Sequence, residues 1–116
     1  MKTLLLLVAV SLASIGCNPI VSQPDARDMA TDRSCDWAAS CNSIGPGKTY
    51  ETRDACEIAL RNLWNGAWPA SGCENKINAN DLNACLNRID TTSCNNILDV
   101  LGLVTGVCSQ TTVCAP

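Results

Sequence analysis

The stretch NDLNACLNRI, residues 80–89, decides the fold. Leu82, Cys85, Leu86 and Ile89 fall at i, i+3, i+4 and i+7. That spacing sets four apolar side chains on one face of a helix and leaves the other face polar. Asn80 and Asp81 precede the first apolar position, where a helix cap and a first-turn acid belong. A cysteine on the apolar face points inward, toward another segment.

The same pattern extends outward in both directions. A helix is predicted over 53–65, with Thr52 as its N-cap, Asp54 in its first turn, and Cys56, Ala59, Leu60, Leu63 and Trp64 on one face. Another is predicted over 30–42, capped by Asp32 or Ser34, with Cys35, Ala38 and Ala39 in register. A fourth is predicted over 96–107, where Ile97, Leu98, Leu101, Val104 and Cys108 repeat at helical spacing. It is nearly apolar all round, with Asp99 its one charge, and is expected to be the most buried. Gly and Pro at 45–47 and at 66, 69 and 72 break the chain between helices. The expected fold class is therefore all-α, a small disulfide-stapled bundle of about four short helices.

The chain of 116 residues holds nine cysteines. Eight of them, Cys35, Cys41, Cys56, Cys73, Cys85, Cys94, Cys108 and Cys114, lie in the domain expected over 34–116. That density marks a disulfide scaffold. It suits a domain with three Trp, one Tyr and no Phe to build a core. The 105 possible pairings cannot be resolved from sequence. One pair is excluded: Cys35 and Cys41 on a shared helix would stand roughly 9 Å apart along the axis, too far for a disulfide. Each should bind a different segment. With no His and no C-x2-C or C-x4-C pair, a metal site is not expected, and no C-x-x-C suggests redox work.

The ninth cysteine, Cys17, ends the stretch LLLLVAVSLASIGC, residues 4–17. With Lys2 ahead of it, this reads as a signal peptide over 1–16, too short for a membrane span. Cys17 directly after small residues looks like the lipidation site of a bacterial lipoprotein. Such a site usually carries Leu three positions earlier, where this chain has Ser14. An ordinary signal cut after Gly16 would instead leave Cys17 as an odd thiol. Residues 17–33 are expected to be the lipid-bearing cysteine and a flexible tether, polar and with Pro19 and Pro24. The expected location is the cell envelope. Asn18 stands where an Asp often retains such proteins at the inner membrane, which favours the outer membrane. Secretion is the alternative.

Other features carry little chemistry. Loss of Lys2 leaves seven Lys and Arg against eleven Asp and Glu, with no basic stripe, so nucleic acid is not an expected partner. Gly47-Lys48-Thr49 ends like a phosphate-binding loop, but Asn42 holds the first glycine position and a helix precedes it. Without His there is no Ser-His or Cys-His pair. The carboxylates Asp36, Glu51, Asp54, Glu57, Glu74, Asp81, Asp90 and Asp99 are assigned no catalytic role, several being explained by capping. Trp64 is expected in the core; Trp37 and Trp68 belong to the core, its edge or a binding surface.

The segment CDWAASCNSIGPGKTY (35–50), then TRDAC (52–56), Leu82 with Cys85-Leu86, and Cys94 with ILDVL (97–101) before Cys108 and Cys114, resembles one known family. These are small bacterial lipoproteins of myxobacteria and similar Gram-negative bacteria, labelled natural product biosynthesis lipoproteins and of unknown function. The resemblance covers about residues 35–114. It implies an anchored envelope protein and supplies no catalytic residues and no cofactor. The expected role is a non-catalytic binding or accessory module, attached to the membrane through lipid on Cys17, whose partner is an envelope protein or small molecule. A secreted carrier of an apolar ligand, or an inhibitor, and a small carboxylate-dependent enzyme are the alternatives.

Overall fold

The computed structural model describes residues 19–94 and 102–114. In chain order it contains β1 (Ile20–Val21), α1 (Gln23–Ser40), α2 (Arg53–Ala67), α3 (Ala70–Cys73), β2 (Ile77–Asn78), α4 (Ala79–Asp90) and α5 (Gln110–Val113). β1 and β2 pair antiparallel, Ile20 opposite Asn78 and Val21 opposite Ile77. The rest is helical and stapled, as the fold class requires.

α1 is the element the others pack on, touching both α2 and α4. It starts well before the expected 30. Ser22 caps it, its hydroxyl accepting from the Asp25 N–H, and Pro24 occupies the first turn, where a missing N–H costs nothing. Residues 23–33 are thus helix, not tether. Their buried side chains are Gln23, Ala26, Ala30 and Thr31, too small or too polar to draw an apolar stripe. Asp32 and Ser34 lie inside the helix rather than at its cap. α1 ends in a Schellman turn. Asn42 takes φ 59°, its N–H reaches the Ala39 carbonyl, and the Ser43 N–H reaches Ala38.

α2 begins where expected, with Thr52 Oγ1 accepting from the Ala55 N–H at 3.0 Å. It buries Cys56, Leu60 and Trp64. α4 is capped two residues earlier than expected. Asn78 Oδ1 accepts from the N–H of Asn80 at 2.7 Å and of Asp81 at 3.3 Å. Its buried face is Leu82, Cys85, Leu86 and Ile89, the four positions that set the fold class.

The predicted fourth helix is only partly present. Residues 95–101, Asp99 among them, lie outside the described residues. Gly102 and Leu103 are helical, but residues 104–108 form turns, where Gly106 weakens helix propensity. Nor is this the most buried segment among the described residues: Gly102, Thr105 and Gly106 are exposed, and Leu103, Val104 and Val107 only half-buried. The core instead centres on α1, α2 and α4.

All three tryptophans are core residues, Trp64 and Trp68 fully buried and Trp37 nearly so. Each indole N–H finds a distant acceptor. Trp37 donates to the Thr92 carbonyl at 2.8 Å, Trp64 to Ser34 Oγ at 3.0 Å, and Trp68 to the Cys108 carbonyl at 2.8 Å. Trp64 and Trp68 lie with ring centroids 4.8 Å apart. Buried Gln23 completes the set, donating to the Trp68 carbonyl and to Asn65 Oδ1. Such donors would be costly if unmet.

Four disulfides join Cys35 to Cys56, Cys41 to Cys94, Cys73 to Cys114 and Cys85 to Cys108, with Cα separations of 6.0, 5.4, 5.0 and 4.9 Å. Cys35 and Cys41 reach different segments, as helix geometry demanded. The first bond ties α1 to α2, and the second ties the end of α1 to the chain beyond α4. The last two hold the C-terminal segment against α3 and α4. Of the described glycines, Gly72 has the nearest neighbour: an added Cβ there would lie 2.5 Å from Nε2 of the exposed Gln110 side chain.

The Cys35–Cys56 bond closes a loop of sequence separation 21, which corresponds to about 3 kcal/mol of chain entropy. The paired substitution Cys35→Ala with Cys56→Ala should lower Tm by more than about 10 °C, measured by circular dichroism under non-reducing conditions. A drop of only a few degrees would show that the α1–α2 contact stands without it.

Candidate functional site

An open recess of about 340 Å³ lies between α1 and α2. It is lined by Asp28, Thr31, Asp32, Glu57 and Arg61. Helical geometry builds it. Asp28, Asp32 and Asp36 recur every four residues and share one face of α1. Arg53, Glu57 and Arg61 recur in the same way on α2. The two rows meet across the helix pair.

Arg53 organises the upper row. Its guanidinium donates to Asp32 Oδ1 at 2.8 Å, Asp36 Oδ1 at 2.8 Å and Glu57 Oε2 at 3.0 Å. It also reaches the Asp32 carbonyl at 3.2 Å. The hydrogen bond to Asp36, then that to Glu57, holds the guanidinium still more firmly protonated than usual. Lower down, Asp28 Oδ1 receives Arg27 Nε at 2.9 Å and lies 3.5 Å from Arg61 Nε. The Arg27 hydrogen bond, outweighing some desolvation, keeps the Asp28 carboxyl below its ordinary 3.8. Thr31, at the base, turns its hydroxyl back to the Arg27 carbonyl at 2.8 Å.

This arrangement opposes four carboxylates with three guanidinium groups. Each acid is already engaged by a base, and the groups are largely solvent-exposed. The cleft can hold the helix pair in register and present polar contacts to a partner. Among the described residues, no group of three or more His, Cys, Asp or Glu is arranged to hold a metal ion.

The residues singled out in the sequence are scattered. The eight domain cysteines are all in disulfides, and Cys17 lies outside the described residues. Of the carboxylates weighed, Asp36 and Glu57 join the Arg53 network, while Asp90 pairs with Arg33 at 2.6 Å and ties α4 to α1. Nothing in the apolar pattern of the sequence groups Asp28, Asp32, Arg53 and Arg61 as a set. Their i, i+4 recurrence was the available signal, hidden because the first half of α1 read as tether. Gly47-Lys48-Thr49 is an exposed turn that bonds to itself. The Lys48 N–H reaches the Gly45 carbonyl, and the Gly45 N–H reaches Tyr50. Gly45 and Gly47 take φ 145° and 78°, which only glycine adopts easily. The loop closes on itself through these hydrogen bonds. Tyr50, where it rejoins the core, has its phenol pKa raised by burial.

A family model matches residues 35–116, most of the chain and every cysteine of the domain. The chain belongs to DUF6184, a family of unknown function. No curated protein and no solved structure matches the chain. The DUF6184 match begins at Cys35, within α1, so the folded unit extends upstream of it to the β1 strand.

Removing the Arg53 hub breaks three ion pairs and leaves Asp32 and Asp36 facing each other unneutralised. Arg53→Met should cost about 1 kcal/mol at low ionic strength, and less in molar salt. Equal losses in chemical denaturation at both salt levels would mean that packing, not charge, carries the effect. The depressed Asp28 pKa stabilises the fold fully above the ordinary carboxylate value and ceases to do so as pH falls through the folded one. Asp28→Asn should therefore flatten the acid limb of a stability profile below about pH 4; an unchanged limb would exclude this pairing as a contributor.

Proposed function

We propose that the protein is a lipid-anchored component of the cell envelope, acting through its DUF6184 domain as a non-catalytic binding or accessory module. One observation carries the reading. The eight cysteines of the domain satisfy one another in four disulfides, which leaves Cys17 over. It follows an apolar leader at the position where a lipoprotein is cut and acylated. A domain so dependent on disulfides belongs outside the cytosol. Among the described residues, no helix is long and apolar enough to cross a membrane, so attachment would rest on the acyl chains. More than one chain is needed for a stable hold.

The binding role is favoured over catalysis by the pairing of Asp28, Asp32, Asp36, Glu57 and Asp90 with Arg27, Arg33, Arg53 and Arg61. Asn18 after the anchor favours the outer membrane. The resemblance in the cysteine framework adds natural-product biosynthesis as the proposed setting, with an envelope protein or a small molecule as partner.

Metabolic labelling with an alkyne fatty acid tests the anchor. The wild-type protein should take up label in the membrane fraction, and Cys17→Ser should take up none. A wild-type protein that is exported, soluble and unlabelled would overturn the reading in favour of a secreted carrier or inhibitor.

A further inference from the structure

The fold begins almost at the anchor. β1 starts at Ile20, and Pro19 is already fixed, because its carbonyl accepts the Ala79 N–H at 3.1 Å. Only Asn18 separates Pro19 from Cys17. Three residues at full extension span about 10 Å from Cys17 to Ile20. Pro19, with its fixed φ, stiffens the near end of this short link. The headgroup layer on each side of a bilayer is itself about 5–8 Å deep. A lipid chain on Cys17 must therefore draw the β1–β2 ribbon down to the headgroups.

The ribbon's side chains agree with that position. Successive residues of a strand point to opposite faces. Val21 packs toward the core with its fully buried partner Ile77, whereas Ile20 is turned outward and 54 % exposed. An exposed isoleucine is unremarkable on most surfaces, but this one stands three residues from the anchor. Lys76, exposed and immediately before β2, offers a cation at the end of the ribbon for lipid phosphate.

We infer that the β1–β2 ribbon, with Ile20 and Lys76, is a membrane-apposed surface that seats the domain directly on the lipid headgroups rather than letting it range on a tether. The inference rests on the lipid-anchor reading of Cys17. Its consequence is a restricted reach. The domain can engage only partners at the membrane surface, whether lipids or proteins standing in the same leaflet. The turn carrying Lys48 follows the far end of α1, an 18-residue helix about 27 Å long that starts beside the ribbon.

Lys48 and Lys76 are the two lysines after the leader, so the molecule contains its own probe and control. The acylated protein would be placed in vesicles of phosphatidylethanolamine with a minority of phosphatidylglycerol and treated with a bulky, membrane-impermeant amine reagent. Peptide masses then give the two labelling rates, with soluble Cys17→Ser as reference. Lys76 should be slowed about tenfold, the factor for an apposed arrangement that outnumbers the free one ten to one, with Lys48 unchanged. In a second measurement, Ile20→Trp should add fluorescence that brominated phospholipid quenches. Equal labelling of both lysines on acylated protein, with no such quenching, would overturn the placement alone. Absence of acyl mass on the purified protein would overturn the placement and the anchor together.

Discussion

The structure depends on α1 being slim along its buried side. Ala26, Ala30, Ser34 and Ala38 give it a flank that large side chains can approach. Trp64 uses that room, and all three indoles tie distant segments together. Trp64 reaches Ser34 across 30 positions of sequence, Trp68 reaches the C-terminal segment across 40, and Trp37 reaches the end of α4 across 55. With no Phe in the chain, these residues supply much of the large apolar volume of the core, and their single donors fix their orientation. A bulkier side chain at Ala30 or Ser34 would push α2 away and strand a buried N–H. Disulfides then lock the ends of the same contacts, with Cys35–Cys56 along the α1–α2 seam and Cys41–Cys94 past the end of α4.

What could be read in advance follows from which residues bury. α4 was legible because Leu82, Cys85, Leu86 and Ile89 are large and regularly spaced. α2 was legible for the same reason, and Thr52 marked its start. The first half of α1 was not, because Gln23, Ala26, Ala30 and Thr31 are buried for their small size or their hydrogen bonds and not for hydrophobicity. Asn80 reads as the cap in place of Asn78 because the two-residue strand that Asn78 ends is visible only once β1 is placed against it. The apolar run after Ile97 misled in the opposite way. Gly102 and Gly106 permit turns that periodicity alone does not register.

The cleft between α1 and α2 shows the same division. Asp36 and Glu57 stand far apart in the sequence, and the hub that joins them, Arg53, acquires its role only when the two helices lie side by side. Its exposed pairs hold orientation more than they add stability. On the proposed reading, full pairing of the domain cysteines leaves Cys17 as the anchor, three residues ahead of the β1–β2 ribbon.

The measurement that tests this account most directly is the intact mass of the mature protein, taken separately from membrane and soluble fractions of its host. The account predicts a membrane species that starts at Cys17, is heavier by a diacylglyceryl-type group and is lighter by eight hydrogens for the four disulfides. A soluble species without lipid, or one whose domain cysteines remain thiols, would contradict it.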